Sequence, residues 1–295
     1  MHSFHGTNKR RSYFEGWYFK HQNGRDTAAL IPAFHTDETG KPSASLQVLT
    51  DLESVSLDFP AEAFLADRHR LLVRLGDCLF SELGCILDVK TEDYQIRGKL
   101  YYGPFLRPKY DIMGPFRFVP FMECRHSVFS LFHRVNGDLI INGREIHFDE
   151  GTGYTEGDRG VSFPGRYLWT QCCRNGNSIM LSVADIPFLG GSFIGCIGFL
   201  LLNGKEHRIG TYLGAKLLHI SENKIVLRQD RLILCIEAQE NRAQPLRAPH
   251  FGNMTRTIHE SAACSVHFHC SFRQKTLFDF VSDQASFENH WRAVP

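Results

Sequence analysis

Short runs of alternating apolar and polar residues, separated by glycine-bearing turns, dominate this chain. The runs at 16–21 and 27–34 flank Asn23-Gly24, and those at 166–173 and 178–184 flank Asn175-Gly176. Alternation with a period of two puts successive side chains on opposite faces of a strand. Asn-Gly recurs at Asn136-Gly137, Asn142-Gly143 and Asn203-Gly204. Both central residues of a type I′ hairpin turn need φ > 0, which Asn and Gly tolerate best, so the repeated dipeptide predicts antiparallel meanders. Further strands are expected at 45–49, 86–89, 94–101, 127–133, 145–148, 207–213, 224–227, 231–238 and 264–272. Helical spacing shows only at 61–65, after Pro60, and at 67–75. The tail at 278–291 carries no clear period. Roughly fifteen short strands are too many for one small barrel. The expected fold is therefore all-β, with two antiparallel β-barrel or sandwich domains packed side by side. The expected division gives domains of 1–145 and 146–295, close to the Asn-Gly turns.

Composition narrows the function classes. With 43% hydrophobic and 22% charged residues the chain reads as an ordinary soluble protein. A formal net charge of +1 gives no electrostatic case for nucleic acid or an anionic membrane surface. The 24 phenylalanines suit either a Phe-rich core or a greasy ligand cavity. Nine cysteines, an odd number without a CxxC, fit reduced thiols better than a disulfide framework. The first residues lack an apolar signal core. The most apolar stretch, 186–202, is broken by Pro187, Gly190, Gly191, Gly195 and Gly198. A cytoplasmic protein without stable membrane insertion is expected; its oligomeric state is left open.

The candidate chemistry centres on 153–172. Glu156 and Asp158 sit in what reads as a glycine-punctuated bend, which runs through Phe163-Pro164 into a strand bearing Arg166, Tyr167, Trp169 and Gln171. Acids beside a wall of rings suit an apolar ligand that needs a proton delivered or a polar head held. The alternative is a tight turn whose carboxylates cap backbone N–H groups. Glu15 shares a strand face with Tyr13, Trp17 and Phe19, while Phe14, Tyr18 and Lys20 take the other. A carboxylate among rings must be paired, protonated or at a cavity wall; a salt bridge to Arg166 or Lys20 is the structural reading. Glu123 and His126 form either an acid/base pair or a polar cluster at a strand start. His267 and His269 share one face while Cys264 and Cys270 take the other, which leaves too few ligands on either, so no metal is expected. No nucleophile elbow, P-loop or Rossmann fingerprint is present, and no cofactor is expected.

The strand Tyr13-Phe14-Glu15-Gly16-Trp17-Tyr18-Phe19-Lys20, followed much later by 153–172, resembles the tocopherol cyclase family. Phe118-Val119-Pro120-Phe121-Met122-Glu123, 211–214 and Pro245-Leu246-Arg247-Ala248-Pro249 match it in order and spacing. The resemblance implies a pair of lipocalin-like β-barrel domains, related in fold to carotenoid hydratases. It also implies a cofactor-independent isomerase that protonates the prenyl double bond of an isoprenoid quinol, whose phenol oxygen then captures the cation. On that reading Glu156 or Asp158 is the acid, with Glu15 as a further catalytic carboxylate that, with Tyr18, positions the head group. Trp17, Tyr167 and Trp169 form walls, and Glu123, Arg159, Phe163, Arg166 and Gln171 contact ligand. Where the family has Lys and Trp, this chain has Gly157 and Arg159. Arg159 is expected to pair with a neighbouring carboxylate. The same pocket without its acid chemistry would make a lipid or fatty-acid carrier.

Overall fold

The computed structural model of the chain describes residues 4–120, 122–188, 190–239 and 242–291. Among them only short 3₁₀ segments interrupt the strands, which build two antiparallel sheets. From edge to edge the first sheet runs Ser54–Pro60, Pro42–Thr50, Thr27–Thr36, Tyr13–Gln22, Arg144–Gly160, Cys124–Ile141, Gln95–Tyr102, Gly84–Lys90, Cys78–Ser81, Leu72–Leu75 and Phe64–Ala66. The second runs Lys205–Gly210, Gly191–Leu202, Asn177–Phe188, Tyr167–Arg174, Lys275–Asn289, Asn253–Phe272, Leu232–Ala238, Lys224–Gln229 and Lys216–Ile220, with Gln244–His250 paired to Asn253–Phe272.

The chain forms two compact units. One takes the residues up to Arg107, Cys124–Phe163 and Leu246–Thr257; the other takes Pro108–Glu123, Pro164–Pro245 and the chain from Ile258 onward. The expected division at 145/146 falls just inside the Arg144–Gly160 strand. That strand stays whole in the first unit because it pairs on one side with Tyr13–Gln22 and on the other with Cys124–Ile141.

Each unit has its own core. Trp17, Phe19, Leu30, Leu46, Val73, Phe80 and Phe148 belong to the first cluster, and Leu168, Leu181, Leu234, Phe268 and Phe287 to the second. Burying a large apolar side chain contributes about 1.5–3 kcal/mol, so many such positions outweigh the entropy of ordering each strand. Phenylalanine is thus spent largely on packing. None of the nine cysteines is in a disulfide.

Three Asn-Gly pairs make the expected hairpin turns, with both residues at positive φ at 142–143, 175–176 and 203–204. At Asn23 the turn is held instead by its side chain, whose Oδ1 accepts the N–H groups of Arg25 and Asp26 at 2.9 and 2.7 Å. Asn136-Gly137 is not a turn. It lies inside the Cys124–Ile141 strand at a register shift, where the bulge uses glycine's freedom. The two expected helices are absent. Residues 61–65 form a 3₁₀ turn, Ala61–Ala63, and the start of a strand. Within 67–75, Val73 and Leu75 are buried while Arg74 is exposed, a period-two pattern that makes Leu72–Leu75 a strand. The aperiodic tail is also a strand, Lys275–Asn289; register shifts along its partner disturb the alternation.

Three of the four buried histidines among the described residues of the first unit are pushed toward the neutral form. His21 bonds the Ala28 carbonyl through Nδ1 at 3.1 Å and meets the Tyr102 hydroxyl through Nε2 at 2.6 Å. Burial pushes its pKa down to about 3. Burial, helped by the charge of Arg247, takes His35 down to about 4, and burial followed by His21 holds His133 well below the usual range. All three are neutral when folded, whereas the unfolded chain takes up a proton on each near pH ~6.5. Their contribution is therefore complete above that pH and is lost as pH falls toward the folded values. Urea unfolding of the first unit should weaken between pH ~7 and ~5 by on the order of 2 kcal/mol for each of His21 and His35. A midpoint that does not move over that window would contradict the neutral assignment.

Candidate acid–base site

The site is built by strand register. Tyr18 lies opposite Glu156, Gly16 opposite Asp158 and Lys20 opposite Tyr154. On the other side of the same strand His126 lies opposite Asp158 and Val128 opposite Glu156. Directly paired residues of an antiparallel ladder share a face, so Tyr18, Lys20, Tyr154, Glu156, Asp158 and His126 all stand on one side of the sheet. Trp17 and Phe19 stand on the other, in the core cluster. The polar face is nonetheless buried: Tyr154 is 0% exposed, Lys20 1% and Glu156 4%.

At its centre one imidazole lies between two carboxylates. His126 Nδ1 is 3.0 Å from Asp158 Oδ1, and Nε2 is 3.1 Å from Glu156 Oε2. The Tyr154 hydroxyl donates to Glu156 Oε2 at 2.5 Å, and the Cys124 thiol donates to Asp158 Oδ1 at 3.3 Å. Burial on its own would pull the histidine's pKa down, but the charges of Glu156 and Asp158 outweigh it and hold His126 well above its ordinary value. The Nδ1 contact is an aligned hydrogen bond. The Nε2 contact is close enough for an ion pair but is not an aligned hydrogen bond, so that N–H direction is not committed to Glu156. The three side chains each offer a ligand atom within 4.8 Å of the others, so a metal ion would be held here if anywhere among the described residues. The imidazolium supplies positive charge at the same place.

The 153–160 stretch is a continuous strand, not a bend, and its glycines serve close approach. A Cβ on Gly157 would sit 2.7 Å from the Gly16 carbonyl oxygen, 3.2 Å from the Phe129 ring and 3.4 Å from Trp17. Arg159 does not pair with its neighbouring acid. Adjacent strand residues face opposite ways, and its Nη1 donates to Ser127 Oγ at 3.0 Å on the Trp17 side.

The other expected site residues scatter. Glu15 is held by the His5 backbone N–H at 2.8 Å, His5 Nδ1 at 2.9 Å and the Tyr13 hydroxyl at 2.7 Å. Those contacts pin the chain before the first strand, and neither Lys20 nor Arg166 is its partner. Trp17 packs against Phe4 and Phe64 in the first core. Phe163 meets Phe14 edge-on at 5.4 Å. Glu123 is exposed ahead of the Cys124–Ile141 strand, so the anticipated Glu123–His126 pair is replaced by His126 with Glu156 and Asp158. Tyr167, Trp169 and Gln171 are buried in the second unit, on the face of their strand opposite Leu168 and Cys172 of its core. Arg166 pairs with Asp185 at 3.7 Å and covers the Trp291 ring at 4.7 Å. His267 and His269 share Asp279, at 2.5 and 3.2 Å.

No protein-family model matches the sequence, and no curated protein matches it. Solved structures do match in fold. A protein described as AttH from Nitrosomonas europaea superposes with a TM-score of 0.59 at 12% identity, over 98% of this chain and 95% of its own. Kievitone hydratase from Nectria haematococca gives 0.55 at 9%, over 95% and 89%. CghA gives 0.58 at 10%, over 96% and 89%. The fold is lipocalin-like and all-β. No helix among the described residues is long and apolar enough to cross a membrane.

Two measurements bear on this geometry. The His126 ring, held well above its ordinary range by its two carboxylate neighbours, should stay protonated where a free histidine titrates near ~6.5, so its Cε1–Hε1 signal should stay fixed there; a titration near that pH would remove the imidazolium. Gly157→Ala should cost about 1–3 kcal/mol of unfolding free energy, because the new methyl meets backbone oxygen that cannot retreat. An unchanged urea midpoint would show that the strand pair opens more easily than the register implies.

Proposed function

We propose that the Tyr154–Glu156–His126–Asp158 cluster is an acid–base site acting on an apolar isoprenoid-quinol type of ligand, by acid-promoted cyclisation. The observation that carries this reading is the single imidazolium between one buried carboxylate, Glu156, and one half-buried carboxylate, Asp158. A proton held between Glu156 and His126 moves to a prenyl alkene carbon; a C–H bond forms and the π bond breaks. The cluster then carries one more negative charge at the moment a carbocation develops beside it, which stabilises that cation electrostatically. The phenol oxygen closes on the cation, a C–O bond forms, and the phenol proton returns to the Glu156–His126 pair. Atoms and electrons balance without a redox partner. Asp158 and Tyr154 act through their neighbours: Asp158 fixes the imidazole, and the Tyr154 hydroxyl bonds the Glu156 oxygen nearest His126. One structural relative bears a hydratase name; adding water to an alkene and closing a phenol on one can both begin with the same proton delivery.

The resemblance in the Tyr13–Lys20 and 153–172 segments supports the prenyl quinol as substrate. The same cluster without turnover would serve a carrier, and the two are separated by product. Incubated with a prenylated hydroquinone, the protein should give the ring-closed chromanol. Glu156→Gln should slow it by about 10²–10⁴-fold, the usual contribution of a positioned acid. Asp158→Asn should slow it less and shift the pH profile toward acid, since His126 loses one of its two supporting charges. Ligand recovered unchanged from the wild type would favour the carrier and defeat the cyclase reading.

A further inference from the structure

The second unit contains a polar cluster that the acid–base reading does not use. Glu288, only 5% exposed, stands opposite Trp169 on one neighbouring strand and opposite Glu260, itself 4% exposed, on the other. The Tyr167 hydroxyl donates to Glu288 Oε1, and His290 Nε2 lies 3.4 Å from the same oxygen. The His290 ring sits 5.1 Å from Tyr167, and its backbone N–H donates to the Tyr167 carbonyl at 2.8 Å, which fixes the ring in place. His290 Nε2 is buried without a hydrogen-bond partner among the described residues. The arrangement repeats that of the first unit. In both, one carboxylate oxygen takes a tyrosine hydroxyl and lies beside a histidine Nε2, on a strand face turned away from that unit's own core.

We infer that Tyr167, Glu288 and His290 form a second site, one that holds the hydroxyl of a phenol or alcohol on an apolar ligand. A carboxylate accepts about four hydrogen bonds, so Glu288 has capacity beyond Tyr167, and the idle Nε2 of His290 needs a polar partner. A ligand hydroxyl satisfies both. The Tyr167, Trp169 and His290 rings provide apolar surface for the ring or chain that carries it. A ligand carboxylate is disfavoured, because Glu288 and Glu260 lie across from each other on one strand pair and like charges repel. The site lies wholly in the second unit and stands or falls apart from the chemistry assigned to Glu156.

Isothermal titration with 4-tert-butylphenol, tert-butylbenzene and 4-tert-butylbenzoate on the full chain tests it. The phenol should bind at least about tenfold more tightly than the other two, the effect of one hydrogen bond to a charged acceptor. Glu288→Gln and Tyr167→Phe should each weaken the phenol by at least about tenfold. His269→Ala, at a half-exposed ion pair elsewhere in the unit, should leave it unchanged. Tyr167→Phe preserves ring volume and keeps the test usable if Glu288→Gln does not fold. The assignment is overturned if the phenol does not bind, if it binds no better than tert-butylbenzene, or if Tyr167→Phe keeps full affinity. It is equally overturned if Glu156→Gln alone abolishes binding, which would place the phenol at the first cluster. Chromanol formation is read separately, so failure of the cyclase reading leaves this result interpretable.

Discussion

Everything at the first site depends on the register between Tyr13–Gln22 and Arg144–Gly160. Because side chains alternate, a slip of one residue would send Glu156 and Asp158 into the hydrophobic cluster and bring Gly157 and Arg159 to the polar face. The register is held from both sides. Trp17 and Phe19 gain burial only if they face the core, and the close approach of Gly157 to the Gly16 carbonyl leaves no space for a side chain in the interior row. The packing of one face thus determines the chemistry of the other.

Having placed two carboxylates on one face, Glu156 buried and Asp158 half-buried, the fold must neutralise them. Removing ions from water costs several kcal/mol each unless they are paired and hydrogen-bonded. His126 does this from the adjacent strand, its Nδ1 hydrogen-bonded to Asp158 and its Nε2 close to Glu156, while Tyr154 and Cys124 donate to the outer ends of the chain of groups. Such a cluster brings one imidazole between two carboxyl groups, and its Nε2 makes no aligned hydrogen bond to Glu156. A buried ion pair of this kind is weak evidence for stability, since an apolar replacement of similar volume is often neutral or stabilising. Glu288 in the second unit is approached by the same residue types, Tyr and His.

Much of the fold could be read from the sequence, and the exceptions have physical causes. Alternation and Asn-Gly turns report local conformation, so hairpins such as 166–173 with 178–184 were legible. Asn136-Gly137 was not, because the same dipeptide that suits a turn suits a bulge, and only the neighbouring strand decides between them. Leu72–Leu75 is too short for its period-two pattern to stand out from helical spacing. At the site, Glu156, Asp158 and Tyr18 were legible as a polar-aromatic set. His126 was visible only as a neighbour of Glu123, since its partners lie 30 and 32 residues further along and are brought to it by cross-strand pairing. Glu288 and His290 sat in a tail whose register shifts concealed its periodicity.

Face assignment also changes what Gly157 and Arg159 mean. Gly157 and Arg159 adjoin the acids in sequence, and a linear reading places a fixed guanidinium beside any developing cation. In the strand, 157 and 159 belong to the row that includes Trp17 and Glu15, while 156 and 158 belong to the row that includes Tyr18 and His126. Arg159 is engaged with Ser127 on the same side as Trp17, while a Cβ at Gly157 would meet Phe129 and Trp17. Gly157 therefore concerns how the interior of the first unit is filled. The acid face carries two carboxylates, and a histidine from the neighbouring strand stands between them. Differences between adjacent positions on a strand have to be assigned to faces before they are assigned to chemistry.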